Sequence, residues 1–434
     1  MKYISLKSKD SSYSLKEAVF KGLAPDGSLF VPETIPALSK DFLDNFHNMT
    51  LSEIAFEVLK PYVEAEVPLD VLKRIVEETF SFDIPLVNVE DNIHSLELFH
   101  GPTQAFKDVG ARFLSRLLGY FNQGESRKLL VLTATSGDTG GAVANGFHLV
   151  DGIEVIVLYP DGKVSPYQEY QIAGPGGNVH AIAVEGSFDD CQRLVKDAFN
   201  DAKLREEIYM TSANSINMGR LLPQMIYYFH AVAQLKKQGV DDNIVFSVPS
   251  GNFGNITAAM IAVKMGLPIK RFVAATNAND VVPRFLDSGE YSPKGTIPTI
   301  ANAMDVGDPS NFPRMYDLYN NELDSIKDSL VSFSVLDDKI KSTIQEVYKS
   351  TNYLMDPHTS AAYVGIKAEL EDGETGVFVS TAHPFKFGEV MDPLIDGGLK
   401  GAGYEIEFEL PNRDEITKMS TKYEDFRKEI EKLA

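Results

Sequence analysis

Cysteine is nearly absent from this chain. One, Cys191, stands in 434 residues, which excludes an intramolecular disulfide and a cysteine-rich zinc site. Its surroundings, SFDDCQRLVKDAF, have the period of an amphipathic helix, so a buried structural thiol is expected rather than a nucleophile. No apolar run approaches the roughly 18 residues of a membrane-spanning helix. The opening MKYISLKSKDSS has no apolar secretory segment, and a cytoplasmic protein is the expectation. The eight histidines form no HxH or HxxxH pair, so no metal site is expected. Positive charge is short as well: 41 Lys and Arg stand against 62 Asp and Glu, a net charge of -21. That balance argues against a nucleic-acid partner, which needs a basic face. Local groups can still hold a small anion in an acidic protein. Internal repeats and low-complexity tracts are missing too.

The first ninety residues or so read as mostly helical. Thr50-Leu51-Ser52-Glu53 fits a capping box before IAFEVLKPYV, and Asp70 is placed to cap VLKRIVEETF. From about residue 95, short apolar runs alternate with helical periods. LLVLTA (129–134), EVIVLY (154–159), HAIAV (180–184), NIVFSV (243–248), RFVAAT (271–276) and GVFVST (376–381) read as strands. Helices are expected over 107–122, 139–149, 187–200, 216–236, 255–266 and 359–369. The alternation predicts parallel sheets covered on both faces, and the nearly unbroken apolar strands agree. The charged stretch from Asn412 reads as one or two terminal helices.

Three of these strands run into glycine- and hydroxyl-rich turns, TATSGDTGG, VPSGNFGN and STAHP. In open parallel sheets ligands sit beyond the carboxyl ends of the strands. In SGNFGN, Gly251 and Gly254 permit close backbone approach and unusual dihedrals. A helix from about Asn255 would aim free N–H groups at the turn, a phosphate cradle without a lysine. A tight connection that needs glycine only for geometry accounts for it equally well. Neither GxxxxGK[ST] nor GxGxxG is present. Ser136 and Thr139 offer hydroxyls suited to a substrate carboxylate, although helix capping by Asp138 is the simpler account of that turn. Lys163 follows a strand, while Asn214, Ser215, Asn217 and Arg220 surround a helix start. Such groups can bind a second phosphate, although a surface ion pair is the commoner fate of a single arginine. Lys107, in HGPTQAFKD, is a charge set between an apolar stretch and a helix-like run.

SLELFHGPTQAFKD, LTATSGDTG, SVPSGNFGN, AATNANDVVP, NAMDVGDPSNFPR and STAHPFKF occur in that order between about residues 95 and 390. Together they resemble the threonine synthases, pyridoxal-phosphate enzymes of the tryptophan-synthase-β group (fold type II). SLKEAVFKGLAPDGSLFVPE is similar to the start of that family. The resemblance implies an α/β protein with two doubly wound parallel-sheet domains and a mostly helical N-terminal region. Residues 1–94 would form the N-terminal domain, 95–127 plus 221–400 a large cofactor-binding domain, and 128–220 a small mobile domain. Residues 401–434 would be a C-terminal helical extension. The implied reaction turns O-phospho-L-homoserine and water into L-threonine and phosphate.

The resemblance also distributes roles. Lys107 would form the Schiff base with pyridoxal phosphate and then shuttle protons. Gly251, Asn252, Phe253, Gly254 and Asn255 would hold the cofactor phosphate, and Thr381 would face the pyridine nitrogen. Asp138 falls near the cofactor's phenolic oxygen. There a carboxylate must point away, be protonated, or leave the role to Ser136 and Thr139. Lys163, Ser215, Asn217 and Arg220 would bind the substrate phosphate, with Ser136 and Thr139 on the substrate carboxylate. His358 and His383 are read as hydrogen-bonded structural groups. Two other readings stand beside this one. A lyase or dehydratase of the same fold would give 2-oxobutyrate, and a plain dehydratase would not need the second anion site. A non-catalytic phosphate-ligand binding protein would need no cofactor. A monomer or homodimer is expected, with no nucleic-acid or membrane partner.

Overall fold

Burial on both faces decides where most strands form. LLVLTA and IVFSVP are buried at every position, and such runs are stable only inside a sheet covered on both sides. In the computed structural model every residue is described except 126, 405, 410, 413–415 and 434. The strands are β1 (Tyr3–Ser5), β2 (Ser12–Tyr13), β3 (Phe30–Pro32), β4 (Leu86–Glu90), β5 (Ile93–Glu97), β6 (Leu129–Ala134) and β7 (Ile153–Pro160). They continue as β8 (Val179–Val184), β9 (Tyr209–Ser212), β10 (Ile244–Pro249), β11 (Arg271–Thr276), β12 (Leu330–Ser334), β13 (Thr375–Ser380) and β14 (Thr417–Met419).

Two parallel sheets dominate. One has five strands in the order β14-β8-β7-β6-β9, all parallel. The other has six, β12-β11-β10-β13-β5-β4, with only β4 antiparallel to its neighbour. Parallel neighbours require crossover connections, and helices supply them. Helix Lys107–Asn122 follows β5 of the six-stranded sheet and leads into β6 of the five-stranded one, so its first residue lies where the two sheets meet.

The six strands expected from hydrophobic runs are present, and the helix over 107–122 has the expected bounds. The capping box at Thr50 forms. Several expectations need correction. Strands β4 and β5 belong to the large sheet, so the N-terminal unit ends near residue 85 rather than 94. That unit also holds a small antiparallel sheet, β2-β1-β3. Asp70 lies in the first turn of helix Leu69–Thr79, whose cap position is Pro68. The segment after 401 is more than a helical extension: β14 extends the five-stranded sheet beside β8. The expected helical stretch over 413–415 lies outside the described residues.

Helix Tyr423–Leu433 buries Phe426 and Ile430 in one cluster with Cys191 and Leu194 of helix Phe188–Asn200. Cys191 is wholly enclosed there, and burial pushes its thiol up to about 12, the behaviour of an inert structural cysteine. Among the described residues no helix is long and apolar enough to cross a membrane. Phe426→Ala should cost about 3–5 kcal/mol and speed amide exchange in β14 and in helix Phe188–Asn200. Unchanged exchange there would show that the terminal helix is no part of that core.

Candidate active site

Four turns converge at the carboxyl ends of the strands: those after β5, β6, β10 and β13. They line a cavity of about 320 Å³, and Lys107, Asp138, Arg220, Asn255 and Thr381 are on its wall.

The turn after β10 is built to meet an anion. Helix Gly254–Lys264 begins there, and the N–H groups of Gly254, Asn255 and Ile256 have no acceptor among the described residues. Their aligned dipoles favour negative charge. The Asn255 amide nitrogen is also buried without a partner, while its oxygen accepts from the Tyr228 hydroxyl at 2.7 Å. An orphaned buried donor is costly unless a ligand completes it. The turn's geometry differs in detail from expectation. The left-handed backbone falls on Phe253, at φ 57°, not on a glycine. Gly251 is needed for close approach, since a Cβ there would lie 2.6 Å from Met304 Cα. The Asn252 side chain braces neighbours, accepting from Ser310 N–H at 2.6 Å and donating to Ser215 Oγ at 2.5 Å.

Lys107 is the first residue of its helix. Its amine makes no hydrogen bond or ion pair to a described residue, and it lies 5.7 Å from the Phe106 ring. Burial lowers its pKa to about 8; Asp138 opposes this, while Arg220 and Lys386 add to it. The preceding turn is tied down on several sides. Asp108 accepts from Thr103 N–H at 2.9 Å and from its hydroxyl at 2.5 Å. The Tyr227 hydroxyl donates to the Phe106 carbonyl, and Phe106 N–H donates to the Thr381 carbonyl at 2.8 Å. Asp108 thus has a local structural task. The Thr381 hydroxyl, on the cavity wall, makes no hydrogen bond to a described residue.

Asp138 does not cap its helix; Gly137 occupies the cap position, at φ 144°. The carboxylate turns onto Lys386, 3.0 Å away, and accepts from the Gln168 amide at 3.0 Å. Burial alone would raise its pKa, but Lys386 and then Lys107 outweigh burial and hold it well below the usual carboxylate range. It is therefore ionised and paired, not protonated. Sequence reasoning missed Lys386, which is fully buried. The available signal was a lysine between two phenylalanines in HPFKF.

Arg220 is buried and unpaired with any carboxylate among the described residues. One terminal nitrogen donates to the Ala213 carbonyl at 2.5 Å, and its Nε has no partner. Burial lowers its pKa to about 10, so it stays charged. Ser215 Oγ accepts from Asn252 and, at 3.4 Å, from Asn311, which leaves its own hydrogen for the cavity. Arg314, also fully buried, donates to the carbonyls of Phe30 and Ile216 and to Asn311 Oδ1. It thereby anchors this segment to the N-terminal sheet.

Two sequence assignments are not brought to the cavity. Asn217 caps a short helix: its oxygen accepts from Gly219 N–H at 2.9 Å and its nitrogen donates to the carbonyls of Val19 and Ser212. Both its amide hydrogens are taken, which leaves no side-chain donor for an anion. Lys163 is exposed on the turn after β7, away from the cavity wall. The exposed lysine on the wall is Lys294. Ser136 and Thr139 do line the cavity.

Both histidines in question are held in place. His358 Nδ1 lies 2.6 Å from Asp356, and its Nε2 accepts from Ala303 N–H at 3.1 Å, which puts its proton on Nδ1. Burial brings His383 down to about 4, and it packs between Phe99 and Phe385. Among the described residues no cluster could hold a metal ion.

Known proteins are similar to this chain. Residues 89–382 match the family described as pyridoxal-phosphate dependent enzyme, and residues 2–80 match threonine synthase N terminus. The chain is 46% identical over 398 residues to the threonine synthase of Haemophilus influenzae, covering 91% of each chain. It is 40% identical over 420 residues to that of Escherichia coli, covering 97% and 96%. The crystal structure of the Escherichia coli threonine synthase superposes with a TM-score of 0.90 at 39% identity, over 100% of both chains. A threonine synthase from Brucella melitensis with bound PLP gives 0.88 at 32%, over 100% of this chain and 99% of the other. A threonine deaminase from Solanum lycopersicum, at 15% identity and a TM-score of 0.57, covers 85% of this chain and 94% of its own and shares the fold alone.

Gly251→Ala would drive a methyl group into the backbone at Met304. It should leave the far-ultraviolet circular dichroism unchanged and weaken binding of a phosphate-bearing ligand by at least about tenfold, the equivalent of 1.4 kcal/mol. Equal affinity would show that the turn is only a connection.

Proposed function

The chain belongs to the threonine synthase family of pyridoxal-phosphate enzymes, and on that premise we propose that its substrate is O-phospho-L-homoserine and that Lys107 carries the cofactor. The residues present fit pyridoxal phosphate. The free N–H groups and the orphaned Asn255 amide at the turn after β10 suit its phosphate, and the uncommitted Thr381 hydroxyl suits its ring nitrogen. When bound, the cofactor supplies an electron sink for carbanion charge on the substrate.

The protein's own contribution begins with Lys107. With its midpoint at about 8 rather than 10.5, its amine is uncharged about 300-fold more often at neutral pH than an ordinary lysine. That uncharged form is the nucleophile for cofactor attachment. Once free, the same amine can take protons from the substrate Cα and Cβ as phosphate leaves Cγ, and return protons to Cγ and Cα. The Ser136 and Thr139 hydroxyls, at the start of helix Asp138–Phe147, suit the substrate carboxylate. Arg220 and Ser215 hold the substrate phosphate, with Lys294 at the same wall. Groups that bind the departing dianion also favour its departure. Water then adds at Cβ, and closure of the smaller sheet's domain limits when it enters.

The observation that carries this reading is Arg220: a buried guanidinium on the cavity wall, with an unpartnered Nε and no ion pair to a carboxylate among the described residues. It supports a second anion subsite, on a different segment from the cofactor's phosphate turn. A plain hydroxy-amino-acid dehydratase would leave that charge buried without purpose.

Incubation with O-phospho-L-homoserine should yield threonine and phosphate in equal amounts; 2-oxobutyrate and ammonia exceeding threonine would contradict the proposal. Borohydride reduction should fix the cofactor mass on the peptide holding Lys107. Arg220→Met should keep the cofactor but lower kcat/KM on the order of 10²-fold. In stopped-flow mixing, the cofactor attachment rate should rise with pH and level off above about 8, the range in which the amine has lost its proton.

A further inference from the structure

We propose that Lys386 is a positioning residue: by pairing with Asp138 it keeps that carboxylate from capturing the Lys107 amine, and it locks the Lys107 turn against the opposite sheet. The inference rests on the reading that Lys107 carries the cofactor.

Three oxygens surround the Lys386 ammonium. It lies 3.0 Å from Asp138 Oδ1, and donates to the Thr103 carbonyl at 2.7 Å and to Gln171 Oε1 at 3.0 Å. Each partner belongs to a different part of the site. Asp138 opens helix Asp138–Phe147 after β6, and Gln171 lies on helix Pro166–Ala173 after β7. Both follow strands of the five-stranded sheet. Thr103 belongs to the turn before Lys107, where Asp108 grips it. Lys386 itself follows β13 of the six-stranded sheet. One fully buried charge therefore joins both sheets to the Lys107 turn. The glycine turn after β6 is shaped for this contact. A Cβ on Gly137 would lie 2.5 Å from the Gln168 side chain, the side chain that donates to Asp138.

Charge gives the contact its functional consequence. The charged groups acting on Lys107 are Asp138, Arg220 and Lys386. Those acting on Asp138 are Lys386, Lys107 and His358. Lys386 also faces Asp108 and His383. Without Lys386, the strongest cation left to Asp138 is Lys107. The carboxylate would then hold that amine in its charged, unreactive form. Removing Asp138 instead should push Lys107 the other way. A merely structural Lys386 would not produce opposite signs.

The test uses cofactor-free protein, so the readout is independent of turnover. Acetylation of Lys107 is followed by mass spectrometry as a function of pH. In the unmodified protein the midpoint should lie at about 8. Lys386→Met should raise it by about one pH unit or more, and Asp138→Asn should lower it. The double variant should return towards the unmodified value, and Lys386→Arg should stay close to it. If the two single variants shift the midpoint in the same direction, or neither shifts it, the proposal is overturned. If Lys386→Met fails to fold by circular dichroism, Asp138→Asn and Lys386→Arg still decide: a midpoint unmoved by Asp138→Asn overturns the proposal. The parent reading fails separately, if borohydride fixes the cofactor on a lysine other than Lys107 in the unmodified protein.

Discussion

A lysine amine is uncharged near neutral pH only where the cost of burying its charge exceeds the pull of any nearby anion. Lys107 sits on that balance. Enclosure lowers its pKa to about 8, and Asp138 works against it. A carboxylate within several ångströms typically favours the charged form by about one to three pH units, enough to undo the effect. Asp138 is paired with Lys386, and the positive charges of Arg220 and Lys386 oppose its pull on Lys107. At the observed 3.0 Å, the Coulomb attraction is about 5 kcal/mol at an effective dielectric of 20. Desolvating two ions costs several kcal/mol each. As a source of stability the pair roughly breaks even. Its value lies in fixing where the negative charge points, and with it the state of the neighbouring amine.

The anion subsites follow the same logic of charge. The chain has a net charge of -21, yet its cavity wall carries two sets of groups suited to anions. One is the backbone N–H groups and the orphaned Asn255 amide, neutral donors that add no charge to perturb Lys107. The other is Arg220, a cation that also lowers the Lys107 pKa. Arg314 holds the 214–220 segment through carbonyl contacts that reach the N-terminal strand at Phe30. The N-terminal unit is thus a brace for the Arg220 side of the cavity.

Hydrophobic runs made the central strands and the Lys107 helix legible in the sequence, because double-sided burial writes itself into every position of a strand. Strands β4, β5, β9, β12 and β14 left no such mark. They are short, lie towards sheet edges, or carry buried polar residues such as His94 and Ser95 in β5. In the site, the glycine turns and Lys107 were legible as local patterns, and the family resemblance joined them. Asn217 and Lys163 are not on the cavity wall, because spacing reports neighbourhood and not direction. Asn217 uses its amide to cap a helix and bind Val19, a partner almost two hundred residues away. Lys386 escaped notice for a related reason. Its partners, Asp138, Thr103 and Gln171, come from three separate segments, and no local pattern could announce their meeting.

The most direct measurement is a crystal structure of the protein grown with pyridoxal phosphate at neutral pH. Continuous density is expected from Lys107 Nζ to the cofactor, with its phosphate against the N–H groups of Gly254, Asn255 and Ile256. The Asp138–Lys386 contact should remain intact beside it. Cofactor density that leaves Lys107 free, or a phosphate seated away from the turn after β10, would contradict this assignment of the site.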